Sequence, residues 1–178
     1  MQRKPTSLEL IYFQVTDLWR ILCEKHADLY DLTSDEYSAL LENDLGRIEN
    51  IVAQKSLLIE SIGKVEELRQ QLIGRLNLAL ANEVGQRHTL VTNVSELMKV
   101  MANVEPEMTG KHLFQFNALL IDLIEKIQAQ NKKNQIFINK ALDSLRTIRE
   151  NAIGEKKCMV YTSKGKTTSN TGRLTAKA

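Results

Sequence analysis

The sequence predicts an all-α protein, an elongated antiparallel helical bundle of coiled-coil-like character followed by a disordered basic C-terminal tail. Hydrophobic residues make up 43% of the 178 positions, yet the chain has only two prolines, eight glycines and 5% aromatic residues. This composition disfavours a turn-rich β fold. Apolar residues recur at three- and four-residue steps over long stretches, as the buried face of a helix requires. That periodicity ends at Gly154.

The first helix is predicted at residues 7–42 and the second at residues 44–80. Thr6-Ser7-Leu8-Glu9 has the form of a capping box, with a hydroxyl at the helix start and a glutamate three positions later. Thr33-Ser34 is a weak point in the first helix, and Asn43-Asp44 provides a break and a new cap.

Lys55 and Arg69 interrupt the apolar stripe of the second helix. One interpretation is that their stems lie along the stripe while the charges reach water. The other is a buried ion pair with a glutamate from another helix. The spacing does not choose between the two interpretations.

A short third helix is predicted at residues 90–105 and is ended by Pro106. Thr109-Gly110 leads into a long last helix at residues 110–152. The last helix carries a seam that mixes apolar residues with asparagines. Its members are Leu113, Asn117, Leu120, Ile124, Ile127, Asn131, Asn134, Ile138, Ala141, Leu145, Ile148 and Ala152.

The asparagines of this seam have two interpretations. An amide in an apolar seam costs free energy unless it finds a hydrogen-bond partner, so the asparagines mark positions where a visiting chain would be bound. Alternatively, they set the register of the bundle or face a wet end of it.

The predicted domains are a helical bundle at residues 1–154 and a flexible tail at residues 155–178. The tail is basic, with six lysine and arginine residues against one glutamate. These cations would bind phosphates in a salt-dependent way, but the rest of the chain has a slight excess of acidic residues. A solubilising tail is therefore favoured over a nucleic-acid partner. No apolar run reaches the length of a membrane helix.

The sequence contains no pattern typical of catalysis. His26, His88 and His112 lie apart from one another and from any metal-ligand cluster. Cys23 and Cys158 form no CxxC motif, and two lone thiols favour a reducing cytoplasm. We therefore expect a cytoplasmic binding protein, neither an enzyme nor a metalloprotein, that uses no cofactor.

Several motifs follow one another along the chain. They are Asp44-Leu45 at the first turn, Lys55-Ser56-Leu57-Leu58-Ile59 followed by Leu68-Arg69, the pair Asn131 and Asn134, and the tail motif from Val160-Tyr161 to Gly165. Their order and spacing resemble the FlgN family of flagellar export chaperones. The resemblance implies a non-catalytic chaperone for hook-associated proteins of FlgK or FlgL type. It would hold their disordered terminal segments and present them to the type III export gate, an FlhA-like protein.

The seam predicts where a client would bind, because an amphipathic helix needs a partly apolar groove. We expect the client surface at Asn131, Asn134, Ile138, Leu142 and Leu145, and we expect substitution of Asn134 or Leu142 to weaken capture while leaving stability nearly unchanged. Tyr161 is predicted to contact the export gate, by its amphipathic ring and by the resemblance. The alternative for Tyr161 is that it folds back onto the bundle. The alternatives for the function are a chaperone for another exported component and a structural coiled-coil subunit that self-associates through its last helix.

Overall fold

The computed structural model describes residues 7–84, 90–104, 112–153, 159–161 and 167–169. Helices cover nearly all of the described residues, which confirms the all-α class. The helices are α1 (Ser7–Glu42), α2 (Leu45–Val84), α3 (Val94–Val104) and α4 (His112–Ile153), and two short strands follow, β1 (Met159–Tyr161) and β2 (Thr167–Ser169).

The turn between α1 and α2 forms where the sequence predicts it. Asn43 adopts a left-handed conformation with φ 55°, which asparagine tolerates better than most residues. Asp44 then caps α2, because its Oδ1 atom accepts a hydrogen bond from the Arg47 amide at 3.0 Å. Helix α2 extends four residues beyond the predicted end, to Val84.

Helix α1 continues without a break through Thr33-Ser34, the predicted weak point. The Thr33 side chain is fully buried, and its hydroxyl donates to the Leu29 carbonyl at 2.7 Å. That bond satisfies the hydroxyl inside the helix, so the residue does not interrupt it. Thr6 of the predicted capping box lies outside the described residues.

The long helices run in alternating directions along the chain. Glu36 of α1 meets Lys55 of α2 just beyond their turn, so these two helices are antiparallel. Helix α4 is parallel to α1, because Trp19 contacts Asn117 while Thr33 contacts Asn134 further along both helices.

Helix α3 begins at Val94, four residues later than predicted, because side chains hold the segment before it outside a helix. Asn77 of α2 accepts from the Val91 amide and donates to the Val91 carbonyl, each at 2.9 Å. Asn93 then caps α3, since its Oδ1 atom accepts from the Glu96 amide at 2.9 Å. Glu96 completes the cap by accepting from the Thr92 amide at 2.7 Å.

Replacing Glu96 by glutamine is expected to remove an acid-dependent part of the stability. The pKa of Glu96 is lowered, first by the hydrogen bond from the Thr92 amide and then by the Thr92 hydroxyl. A lowered folded-state pKa adds stability above the unfolded-state pKa, and this stability is lost as the pH falls through the folded value. The free energy of unfolding, measured with urea between neutral and acidic pH, should therefore depend less on pH in Glu96→Gln than in the wild type. Glu49→Gln, at an exposed position of α2, is the matched control, and an identical flattening there would contradict the assignment to the cap.

The core of the bundle lies where α1, α2, α3 and the start of α4 meet. Trp19, Leu76, Met101 and Leu113 are among its large members and are each 0–1% exposed. The chain divides into two compact units, residues 1–136 and residues 137–178. The predicted domain boundary at residue 154 stays a prediction.

The described residues of the predicted tail form a pair of short strands that the sequence pattern does not reveal. Strands β1 and β2 pair in antiparallel register, with Met159 opposite Ser169, Val160 opposite Thr168 and Tyr161 opposite Thr167. β-branched and aromatic residues favour strands, and both three-residue pieces contain them. The other residues of the predicted disordered tail lie outside the described ranges.

Candidate functional site

Up to Asn134, the buried face of α4 follows the predicted seam at every second position. Leu113, Ile127 and Asn134 are buried, and Leu120 is half-buried, at seven-residue intervals or multiples of them. The alternate positions lie one residue earlier than predicted, at Phe116, Leu123, Gln130 and Phe137. All four are buried or half-buried, whereas the predicted Ile124 and Ile138 are 36% and 38% exposed. Apolar residues at both sets of positions make the phase ambiguous in the sequence, and contact with α1 and α2 selects it.

A buried polar network joins α4 to α1 at Asn134. This side chain is 3% exposed, and its Nδ2 atom donates to the Thr33 carbonyl at 3.0 Å and to Glu36 Oε2 at 2.9 Å. Gln130 donates to Asn134 Oδ1 at 2.9 Å. Every polar atom of the Asn134 side chain is therefore used within the bundle.

Lys55 of α2 completes the network. Its ammonium group pairs with Glu36 Oε2 at 2.8 Å, with both side chains about 15% exposed, and lies 3.4 Å from Asn131 Oδ1. This arrangement matches the interpretation of Lys55 as a partner for a glutamate on another helix. Arg69 instead pairs with Glu66 of its own helix.

These contacts change the expectation for the two asparagines. Asn134 is occupied by α1, so its substitution should destabilise the bundle, contrary to the nearly unchanged stability expected from the sequence. Asn131 is exposed. In this structure Asn134 fits the second interpretation of the seam asparagines, in which they set the register of the bundle.

The last part of α4, in the second unit, presents a row of large apolar side chains, which we name the C-terminal stripe. It consists of Ile138, Leu142, Leu145 and Ile148, whose exposed fractions are 38%, 49%, 61% and 62%. Their three- and four-residue spacing places them on one side of the helix. The first three members are predicted client contacts. Ile148 is a further candidate, and its position three residues after Leu145 is the sequence signal for it.

Tyr161, the predicted gate contact, is the last residue of β1 and pairs with Thr167 of β2. It therefore belongs to a two-stranded element that begins after α4.

Cys23 and His26 of α1 have structural partners. Cys23 is 5% exposed and its Sγ atom donates to the Phe116 carbonyl at 3.2 Å. Burial, followed by the charge of Glu24, raises the Cys23 pKa, which disfavours the nucleophilic thiolate. His26 Nδ1 lies 2.7 Å from the Leu22 carbonyl. Within the described ranges, no three His, Cys, Asp or Glu residues are arranged to hold a metal ion.

None of the described helices combines the length and the apolar character that a membrane-spanning segment needs. No curated protein and no solved structure matches the chain. A family model described as FlgN protein matches residues 12–169, from the first turns of α1 to the end of β2. The match covers most of the sequence and includes the helical bundle, the C-terminal stripe and the strand pair. The chain therefore belongs to the FlgN family, a family of flagellar export chaperones.

Proposed function

We propose that this protein is a cytoplasmic chaperone that binds the disordered terminal segments of hook-associated proteins and delivers them to the type III export gate. Its binding would prevent the segments from associating or being degraded before export. The observation that carries the proposal is the C-terminal stripe, which exposes four large apolar side chains on one helical face.

The chemistry of the stripe suits a client that folds on binding. The exposed surface of the four side chains equals that of about two fully exposed ones, so burying it contributes roughly 3–6 kcal/mol before the cost of ordering the client. That cost removes much of the gain and leaves a reversible complex. An amphipathic client segment would place its own apolar face against the stripe, in the manner of a helix bound in a groove.

A chaperone for another exported component would use the same surface, and the stripe would also suit a permanent coiled-coil subunit. Light scattering after size exclusion, with and without purified terminal segments of hook-associated proteins, separates these functions. The proposal expects a monomer that forms a stoichiometric complex with such a segment and protects it from protease. A stable oligomer that does not bind these segments would support the alternative of a structural coiled-coil subunit.

Replacing Tyr161 by alanine is expected to abolish secretion of the client while leaving client binding in solution unchanged. An aromatic ring with a polar end is a common anchor at protein interfaces, and Tyr161 is the only aromatic residue of the tail. Binding to the purified cytosolic domain of the export gate, measured by calorimetry, and secretion measured in cells check this expectation.

Tyr161→Phe is the matched control for that experiment, because it keeps the ring and removes only the hydroxyl. Retained gate binding in the phenylalanine variant would assign the contact to the ring. A loss of client binding in Tyr161→Ala that equals the loss of gate binding would place the tyrosine in the client site instead.

A further inference from the structure

A cleft of about 680 Å³ opens within the first unit, with side chains from all four helices along it. Trp19 and Met98 are among its nearly buried apolar residues, and Phe114, Ile121 and Ile124 of α4 line it with 36–51% of their surface exposed. A volume of this size is in the range that holds organic ligands or several inserted side chains. The C-terminal stripe supplies none of its lining residues.

The polar groups on the cleft favour an acidic occupant. Lys99 and Arg69 are cationic and Glu66 is anionic, and these are the charged residues of the lining. Glu66 pairs with Arg69, whereas Lys99 has no carboxylate within ion-pair distance among the described residues. The Oδ1 atom of Asn117 is used by the Trp19 indole N–H at 3.1 Å, which leaves the N–H groups of the amide as donors. The cleft therefore has a positive charge and spare donors beside an apolar surface.

The cleft is held open by fixed elements. Asn77 binds both backbone groups of Val91, and the Asn93 cap fixes the first turn of α3. Because this wall is positioned by the bundle itself, an occupant would pay little for ordering it.

We propose that this cleft binds an amphipathic helix of a partner protein, with apolar residues one turn apart and a carboxylate beside them that meets Lys99. Charge complementarity to Lys99 selects this occupant over the exposed apolar end of α4 in a second copy of the chain. The last part of α4 carries Lys140, Arg146 and Arg149 against Asp143 and Glu150, and the tail is more basic still. The cleft would then be a second contact for the client, in addition to the C-terminal stripe. This role of the cleft rests on the proposed function.

Trp19 is the sole tryptophan of the chain and lines the cleft, so its emission reports occupancy. The probe is a tryptophan-free synthetic helix with leucines one turn apart and glutamates beside them, and its control carries lysines in place of the glutamates. Titration of the full chain should give a saturable change in emission with the glutamate peptide and binding at least about tenfold weaker with the lysine peptide. Lys99→Glu should reverse this preference.

Ile121→Glu should abolish the emission change, and Leu142→Glu in the C-terminal stripe is the matched control that should retain it. Ile121 is 51% exposed, and a circular dichroism melt checks that its variant folds. Ala102→Arg, at a lining residue on α3, is the second variant if it does not. No saturable change, equal binding of the two peptides, or loss in Leu142→Glu but not in Ile121→Glu would overturn the cleft as a binding site.

A second titration uses the terminal segment of a hook-associated protein. Weaker binding in Ile121→Glu supports the cleft as a client contact. Binding that depends on Leu142 and not on Ile121 would overturn this role while the proposed function stands. A segment that binds neither the wild type nor the variants would contradict the proposed function, and the synthetic peptides would still decide whether the cleft binds helices.

Discussion

A Leu142→Glu, Leu145→Glu double variant is expected to bind hook-associated terminal segments at least about 100-fold more weakly than the wild type. Each leucine would lose the gain from burial against the client, and each new carboxylate would be desolvated in the complex. The two positions are 49% and 61% exposed, so the free energy of unfolding should change by less than about 1 kcal/mol. Isothermal calorimetry with purified segments and urea unfolding measure the two quantities.

Leu57→Glu, Ile59→Glu on α2 is the matched control, because it places the same charges at apolar positions that are 69% and 55% exposed. It should keep full client binding. Equal weakening in both double variants would show that the added charge repels the client wherever it lies. Full binding by the variant of the C-terminal stripe would place the client elsewhere on the chain.

Asn134→Ala is expected to lower the free energy of unfolding by about 2–4 kcal/mol. The substitution removes the buried amide that donates to the Thr33 carbonyl and to Glu36, and it leaves Gln130 without its acceptor. A buried polar group that loses its partner keeps the cost of desolvation. The same network ties α4 to α1, so thermal unfolding monitored by circular dichroism should also shift to a lower temperature.

Asn131→Ala is the natural comparison, since it changes the same residue type three positions earlier. Asn131 is exposed and its contact with Lys55 is long, at 3.4 Å, so we expect a change within about 0.5 kcal/mol. Equal and small effects in both variants would show that the polar network does not hold the helices together. Loss of client binding by Asn134→Ala at unchanged stability would restore Asn134 as a client contact.

The number and type of the helices follow from the sequence because they depend on local spacing and capping. The apolar periodicity predicts four helices, and Asn43-Asp44 predicts the turn between the first two. The start of α3 is less local, since it depends on Asn77, which binds Val91 from fourteen residues away. The residues just before α3 therefore contain no sequence signal for this contact.

The phase of α4 depended on packing. Ile124 and Leu123 are neighbours of similar apolar character, and either one fits a seven-residue pattern. Only the contact with other helices places Leu123 inside and leaves Ile124 on the cleft. The short strand pair in the tail likewise needs two segments to meet, which the composition of either segment does not specify.

The sequence by itself determined the helical class, the break at residues 43–44 and, through the order of its motifs, the family of export chaperones. The tertiary structure decided which polar residues are available to a partner. Asn131 and Asn134 are identical in type and lie three residues apart, yet one is exposed and the other is bound to Thr33 and Glu36. The physical reason is that an amide's cost or usefulness depends on the groups around it, and for Asn134 those groups lie about one hundred residues away in the chain.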